Sequence, residues 1–208
     1  MQTHLTLTFS TLFLTLLFTS PTFLLAHDHD EPQDLVRSSC VHARYPRLCI
    51  RTLSNYAGPT NTSLDVARAA LRVSLAHALR ASKYLKSYSG PKSTADIITK
   101  RQRVALSDCA EQISDSVDEL RKSLEELQHL RPETFRWQMS NAQTWVSAAL
   151  TDGDTCLDGF SGEGKVRRDL KRRVTDVARV TSNALYMINR LCEGGSGKVK
   201  PSSSNSKN

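Results

Sequence analysis

Apolar residues recur along this chain at alternating steps of three and four. Leu64, Ala67, Leu71, Ser74, Ala78, Ala81 and Leu85 form one such row. Leu106, Cys109, Ile113, Val117, Leu120, Leu124 and Leu127 form a second, and Leu170, Val174, Val177, Thr181, Ala184, Ile188 and Leu191 a third. Ala142, Trp145, Val146 and Ala149 supply a shorter fourth. Each row lies along one face of an α-helix and must be buried against other helices. Strand signals are nearly absent. The pattern predicts an all-α fold, an up-down-up-down four-helix bundle.

Glycine and proline divide the chain at Gly58-Pro59, Gly90-Pro91, Pro132, Gly153, Gly159 to Gly164 and the tail from Gly194. Helix starts are expected at Thr62-Ser63, at Ser93-Thr94, and at Pro132-Glu133, where proline suits a first turn. Upstream, residues 34–40 and 46–53 read as two short helices joined at Ala43-Arg44-Tyr45. Neither reaches the ~12 residues an isolated helix needs. They form an N-terminal helical hairpin that requires an added constraint.

The ends differ from the rest. Residues 1–26 carry no Lys, Arg, Asp or Glu and are rich in Leu and Phe, and the charged run His27-Asp28-His29-Asp30-Glu31 follows at once. This reads as a secretory signal peptide cleaved near Ala26. Residues 27–33 are expected to be flexible, 34–193 to form one domain, and 194–208 to be a disordered Gly/Ser/Lys tail. About 180 residues then remain, enough for a single core. No later segment is apolar enough to span a membrane, so no stable insertion is expected after cleavage.

Export decides how charge and cysteines are read. The net charge of +7 is compatible with an acidic polysaccharide, while nucleic acid is excluded by the compartment. The basic residues are scattered, so they suggest at most weak contact with such a polysaccharide. An oxidising route favours disulfides, and five cysteines permit two bridges with one left over. Cys40 and Cys49 are close enough to staple the hairpin, and a bridge there is worth roughly 2.5–3 kcal/mol on the loop-entropy account. Cys109 and Cys156 would close a longer loop, worth about 4 kcal/mol on the same account. The spacings fit no common zinc pattern, and neither metal nor cofactor is expected.

Three blocks carry a family resemblance. They are Tyr45-Pro46-Arg47-Leu48-Cys49, then Thr144-Trp145-Val146-Ser147-Ala148-Ala149-Leu150-Thr151 running into Asp154-Thr155-Cys156-Leu157-Asp158-Gly159-Phe160, and Thr181-Ser182-Asn183-Ala184-Leu185. In this order the chain resembles the plant invertase and pectin methylesterase inhibitor family. The resemblance implies disulfides Cys40–Cys49 and Cys109–Cys156, with Cys192 left over. It implies a secreted inhibitor of the plant cell wall (the apoplast), not an enzyme. One branch forms a one-to-one complex over the pectin-binding cleft of pectin methylesterase. The other blocks acid invertase and looks to use a Pro-Lys-Phe triplet in the loop after the last disulfide cysteine. Here that loop reads Ser161-Gly162-Glu163-Gly164-Lys165-Val166, so pectin methylesterase is the expected target and acid invertase the alternative. Similar domains also precede catalytic domains in longer chains; none is expected here.

Glu111, Asp115 and Asp118 follow Cys109 at steps that stack three carboxylates along one helix face, away from Ile113 and Val117. The resemblance implies that these residues, with Thr155 and Asp158, face the target enzyme. A further acidic position of the family is occupied here by Arg131. No nucleophile elbow, phosphate loop or zinc-protease signature is present. His42, His77 and His129 are isolated and read as surface or capping residues. Asn61-Thr62-Ser63 is an N-glycosylation sequon, making Asn61 the expected sugar site.

Overall fold

The computed structural model describes residues 31–88, 99–159 and 165–196. Six α-helices follow in order: α1 (Glu31–Cys40), α2 (Pro46–Ser54), α3 (Ser63–Tyr88), α4 (Lys100–Gln128), α5 (Phe135–Gly159) and α6 (Lys165–Ser196), with a 3-10 turn at Pro132–Thr134 before α5. No strand occurs among the described residues. The proposed leader and most of the tail lie outside them.

The four apolar rows are the core. Leu71, Leu85, Leu106, Ile113, Leu120, Leu127, Leu170 and Ile188 are each no more than 2% exposed. Successive long helices pack side by side, and α6 closes the ring against α3. Three contacts fix the pairing of α4 with α5: the Cys109–Cys156 disulfide, Ser116 Oγ donating to Ala149 O at 3.2 Å, and Ser123 Oγ donating to Ala142 O at 3.1 Å. Each advance of seven residues on α4 matches a retreat of seven on α5. That is an antiparallel seam of heptad period, and its Ser and Ala side chains are small enough to let the backbones approach.

The hairpin formed by α1 and α2 is closed by Cys40–Cys49, with Cα atoms 5.6 Å apart. It packs on α3 and α6 and buries Val36, Cys40, Ala43, Cys49 and Leu53. Tyr45 is the N-cap of α2 and makes no side-chain capping bond. Asn183 of α6 holds it instead: Tyr45 N–H donates to Asn183 Oδ1 at 3.0 Å, and Asn183 Nδ2 donates to Tyr45 O at 3.1 Å. The Thr181-Ser182-Asn183 block therefore contains the residue that docks the hairpin.

Several boundaries depart from expectation. α1 begins at Glu31, inside the stretch assigned as flexible, and α6 runs through Gly194 to Ser196. The start expected at Ser93-Thr94 lies outside the described residues, and α4 begins at Lys100. Its N-cap is Thr99, whose hydroxyl accepts from Gln102 N while Gln102 Oε1 accepts from Thr99 N, a complete capping box. Gly153 punctuates nothing: it is buried within α5, which at 25 residues is nearly as long as α3. Trp145 is half-buried, not a core residue. The expected start at Thr62-Ser63 stands, because Thr62 Oγ1 accepts from Asp65 N at 3.1 Å.

Candidate functional site

One outer face of α4 carries Val104, Asp108, Glu111, Asp115, Asp118, Lys122 and Glu125, with His129 just past its end, and all are exposed. Glu111, Asp115 and Asp118 thus form a solvent-facing acidic row about 10 Å long. Asp118 meets Arg121 at 2.6 Å, but both side chains are more than half exposed, so the pair contributes little. The adjoining outer row of α5 is Trp137, Ser140, Thr144, Ser147, Thr151, Thr155 and Asp158, again exposed. The hydroxyls of Thr144, Ser147, Thr151 and Thr155 each donate to the carbonyl four residues back, at 2.7 to 3.2 Å. Their rotamers are therefore occupied, and the surface is short-chained and already ordered. Such a face loses little side-chain entropy when a partner covers it.

The Cys109–Cys156 bridge brings Thr155 and Asp158 level with the first turns of α4, next to the acidic row. The five residues named from sequence are all exposed and lie on the two neighbouring helices α4 and α5. Asp158 also borders a small cavity of about 260 Å³ with Arg167 and Lys171 of α6. Arg131 is exposed in the connector between α4 and α5. Asn61 is exposed immediately before α3, on another part of the surface. His129 does act as a cap: its N–H donates to Glu125 O at 3.2 Å. His77 is half-buried, and desolvation, helped by Arg80, holds its imidazole below the usual value.

Sequence reasoning missed a carboxyl pair in the seam beneath the acidic row. Glu119 of α4 lies against Asp152 of α5, and Ser116 Oγ is 3.3 Å from Asp152 Oδ2. Burial is the largest cause of a shift that lifts Glu119 from its ordinary 4.5 to about 7; the bond to Asp152, then the charges of Asp152 and Asp115, add to it. Burial also raises Asp152, while the bonds from Glu119 and Ser116 stabilise its anion and oppose that shift. Glu119 Oε2 is buried without a hydrogen-bond partner, which further disfavours the charged carboxylate. The signal was available in principle, since the Cys109–Cys156 register puts Asp152 within a turn of Ser116.

Among the described residues no three His, Cys, Asp or Glu side chains converge to hold a metal, on this face or elsewhere. What the face offers is a rigid two-helix surface with a charged row beside a row of hydroxyls. The description "Plant invertase/pectin methylesterase inhibitor" matches residues 34–187, most of the chain and all of both helices. The chain belongs to that family. The family's description names an inhibitor and not an enzyme. Pectinesterase inhibitor 3 of Arabidopsis thaliana is 53% identical over 176 residues, covering 79% of this chain and 82% of its own. Pectinesterase inhibitor 9 of the same plant is 42% identical over 180 residues, covering 82% and 87%. A crystallised mutant form of an Arabidopsis pectin methylesterase inhibitor shares the fold with a TM-score of 0.58 at 21% identity, covering 72% of this chain and 92% of its own. No described helix is long and apolar enough to cross a membrane.

Proposed function

We propose that this protein is a secreted inhibitor of plant pectin methylesterase, acting in the cell wall by forming a one-to-one complex that covers the pectin-binding cleft. The observation that carries this is the 53% identity to a pectinesterase inhibitor across most of both chains. The α4–α5 face is the docking surface, with Glu111, Asp115, Asp118, Thr155 and Asp158 in contact with the enzyme. The mechanism is steric. A stiff face seated in the groove excludes the polysaccharide, and the carboxylates orient the approach through complementary charge more than they add affinity. The leader at residues 1–26 directs export, Asn61 carries the sugar, and the basic surface adds weak contact with pectin. Acid invertase, which the family description also names, is not favoured, because the relatives at 53% and 42% identity are pectinesterase inhibitors.

The test mixes the oxidised, secreted protein with plant pectin methylesterase and, separately, with acid invertase. Stoichiometric loss of only the first activity, with a complex of one-to-one mass on a sizing column, is the expected result. Loss of invertase activity alone would reverse the assignment. The variant E111K/D115K/D118K is then expected to weaken inhibition at least about tenfold while leaving the helical circular dichroism intact. Unchanged inhibition would remove the acidic row from the interface.

A further inference from the structure

The exposed row of α4 changes sign one turn beyond Asp118, at Lys122, and there the α4–α5 face becomes concave. A groove of about 680 Å³ is lined by Lys122, Glu125 and Glu126 from α4, Arg131 from the connector, and Trp137 and Trp145 from α5. Lys122 Nζ sits 4.6 Å from the centre of the Trp145 ring. Trp137 is 65% exposed, the most exposed large apolar side chain among the described residues. With the half-buried Trp145, it gives this groove two indoles on an otherwise polar face.

The walls are braced. Gln138, 5% exposed, accepts from Arg131 N–H and Thr134 Oγ1 at 2.9 Å each and donates to His129 O at 2.9 Å. One buried amide thereby fixes the connector that carries Arg131 and the turn of α5 that carries Trp137. Asn141 Nδ2 donates to Glu126 Oε1 at 2.8 Å across the floor. The backbone that carries the indole is therefore fixed, and the ring itself is largely exposed. Burying a side chain whose neighbours are already ordered gains apolar area at little entropic cost, the condition under which a few residues dominate an interface.

We propose that this groove is the apolar anchor of the enzyme-docking surface. It receives an apolar side chain from the rim of the target's cleft, while Arg131 pairs with a carboxylate beside that side chain. The groove lies on the same two helices as the acidic row and begins about 6 Å past Asp118, so one partner can cover both. Lys122 and Arg131 place positive charge beside Glu125 and Glu126, so the groove is mixed in sign where Glu111, Asp115 and Asp118 are uniformly acidic. Arg131 and Trp137 then select which pectin methylesterase isoforms are held. This rests on the reading of the α4–α5 face as the docking surface.

The test measures inhibition by wild type, Trp137→Ala, Arg131→Ala and Arg131→Glu against a panel of pectin methylesterase isoforms. Each inhibitor is also titrated alone with oligogalacturonides, read by tryptophan fluorescence. Trp137 makes no core contact that its truncation would lose, so melting temperature should stay within about 2 °C of wild type. Trp137→Ala is expected to weaken inhibition of the sensitive isoforms at least about tenfold, and Arg131→Glu to reorder the isoforms. Trp137→Ala inhibiting every isoform as wild type does would overturn the proposal, as would loss of oligogalacturonide binding with inhibition intact. In either case E111K/D115K/D118K still reports separately on the acidic row.

Discussion

Asn183→Ala tests how the hairpin is held, and its cost can be worked from the bonds it removes. Asn183 is 3% exposed and spans 138 residues of sequence to reach both backbone groups of Tyr45. The two groups are not equally vulnerable. Tyr45 O also accepts from Cys49 N at 2.9 Å, the first bond of α2, so it keeps a partner and loses one ordinary bond of about 1 kcal/mol. Tyr45 N–H has Asn183 Oδ1 as its acceptor, and stranding a partly buried donor costs about 1–2 kcal/mol. The sum is about 2–3 kcal/mol, or a fall of about 5–10 °C in melting temperature for a domain of this size. Thermal unfolding should show that fall, and hydrogen exchange should speed up at Tyr45 and in the first turn of α2. Asn183→Asp keeps an acceptor for the N–H, so it should protect the Tyr45 amide better than alanine does. Inhibition should persist below the new melting temperature, since the hairpin packs on α3 and α6. A melting temperature within about 1 °C of wild type, with hairpin exchange unaltered, would refute the clamp.

The Glu119–Asp152 pair makes a signed prediction about pH. The folded-state pKa of Glu119 lies above its ordinary value, at about 7, so its contribution to stability is whole below about 4.5 and is lost as pH rises through about 7. Burial is the largest cause, Asp152 and then Asp115 add to it, and Lys122 opposes it. Glu119→Gln should therefore melt above wild type at pH 8 by a margin that shrinks toward pH 5; a margin that is flat or grows on acidification would contradict the shared proton. Gly153→Ala should stabilise the bundle. A Cβ there meets only Val174 Cγ1, at 3.5 Å, while helical glycine costs about 1 kcal/mol relative to alanine; a rise of about 2–4 °C is expected, and a fall would show that the seam has no room.

Much of the bundle was legible because helix faces are written locally. Ile113 and Leu120 could be assigned inward, and Glu111, Asp115 and Asp118 outward, from the spacing of the residues around them. Boundaries were less secure. Gly153 looked like a break because glycine is a weak helix former, yet α5 runs unbroken through it, buried beside Val174 of α6. Thr99 was overlooked although Thr-x-x-Gln is a capping box, because Ser93-Thr94 offered a competing cap nearby. Trp145 obeyed the apolar period but sits at the edge of a groove, where Lys122 covers its ring.

Sequence alone determined the number and polarity of the helices, the cysteines available to brace them, and the acidic row on an otherwise basic chain. Tertiary structure alone decided that Asn183 caps α2 from the far end of the chain, that Glu119 meets Asp152, and that Trp137, Lys122 and Arg131 share one groove. The reason is geometric. A helix's own period fixes which way each residue points from its axis, but the rotation and axial shift between two helices are set by how their side chains interlock, and no local pattern contains those two quantities.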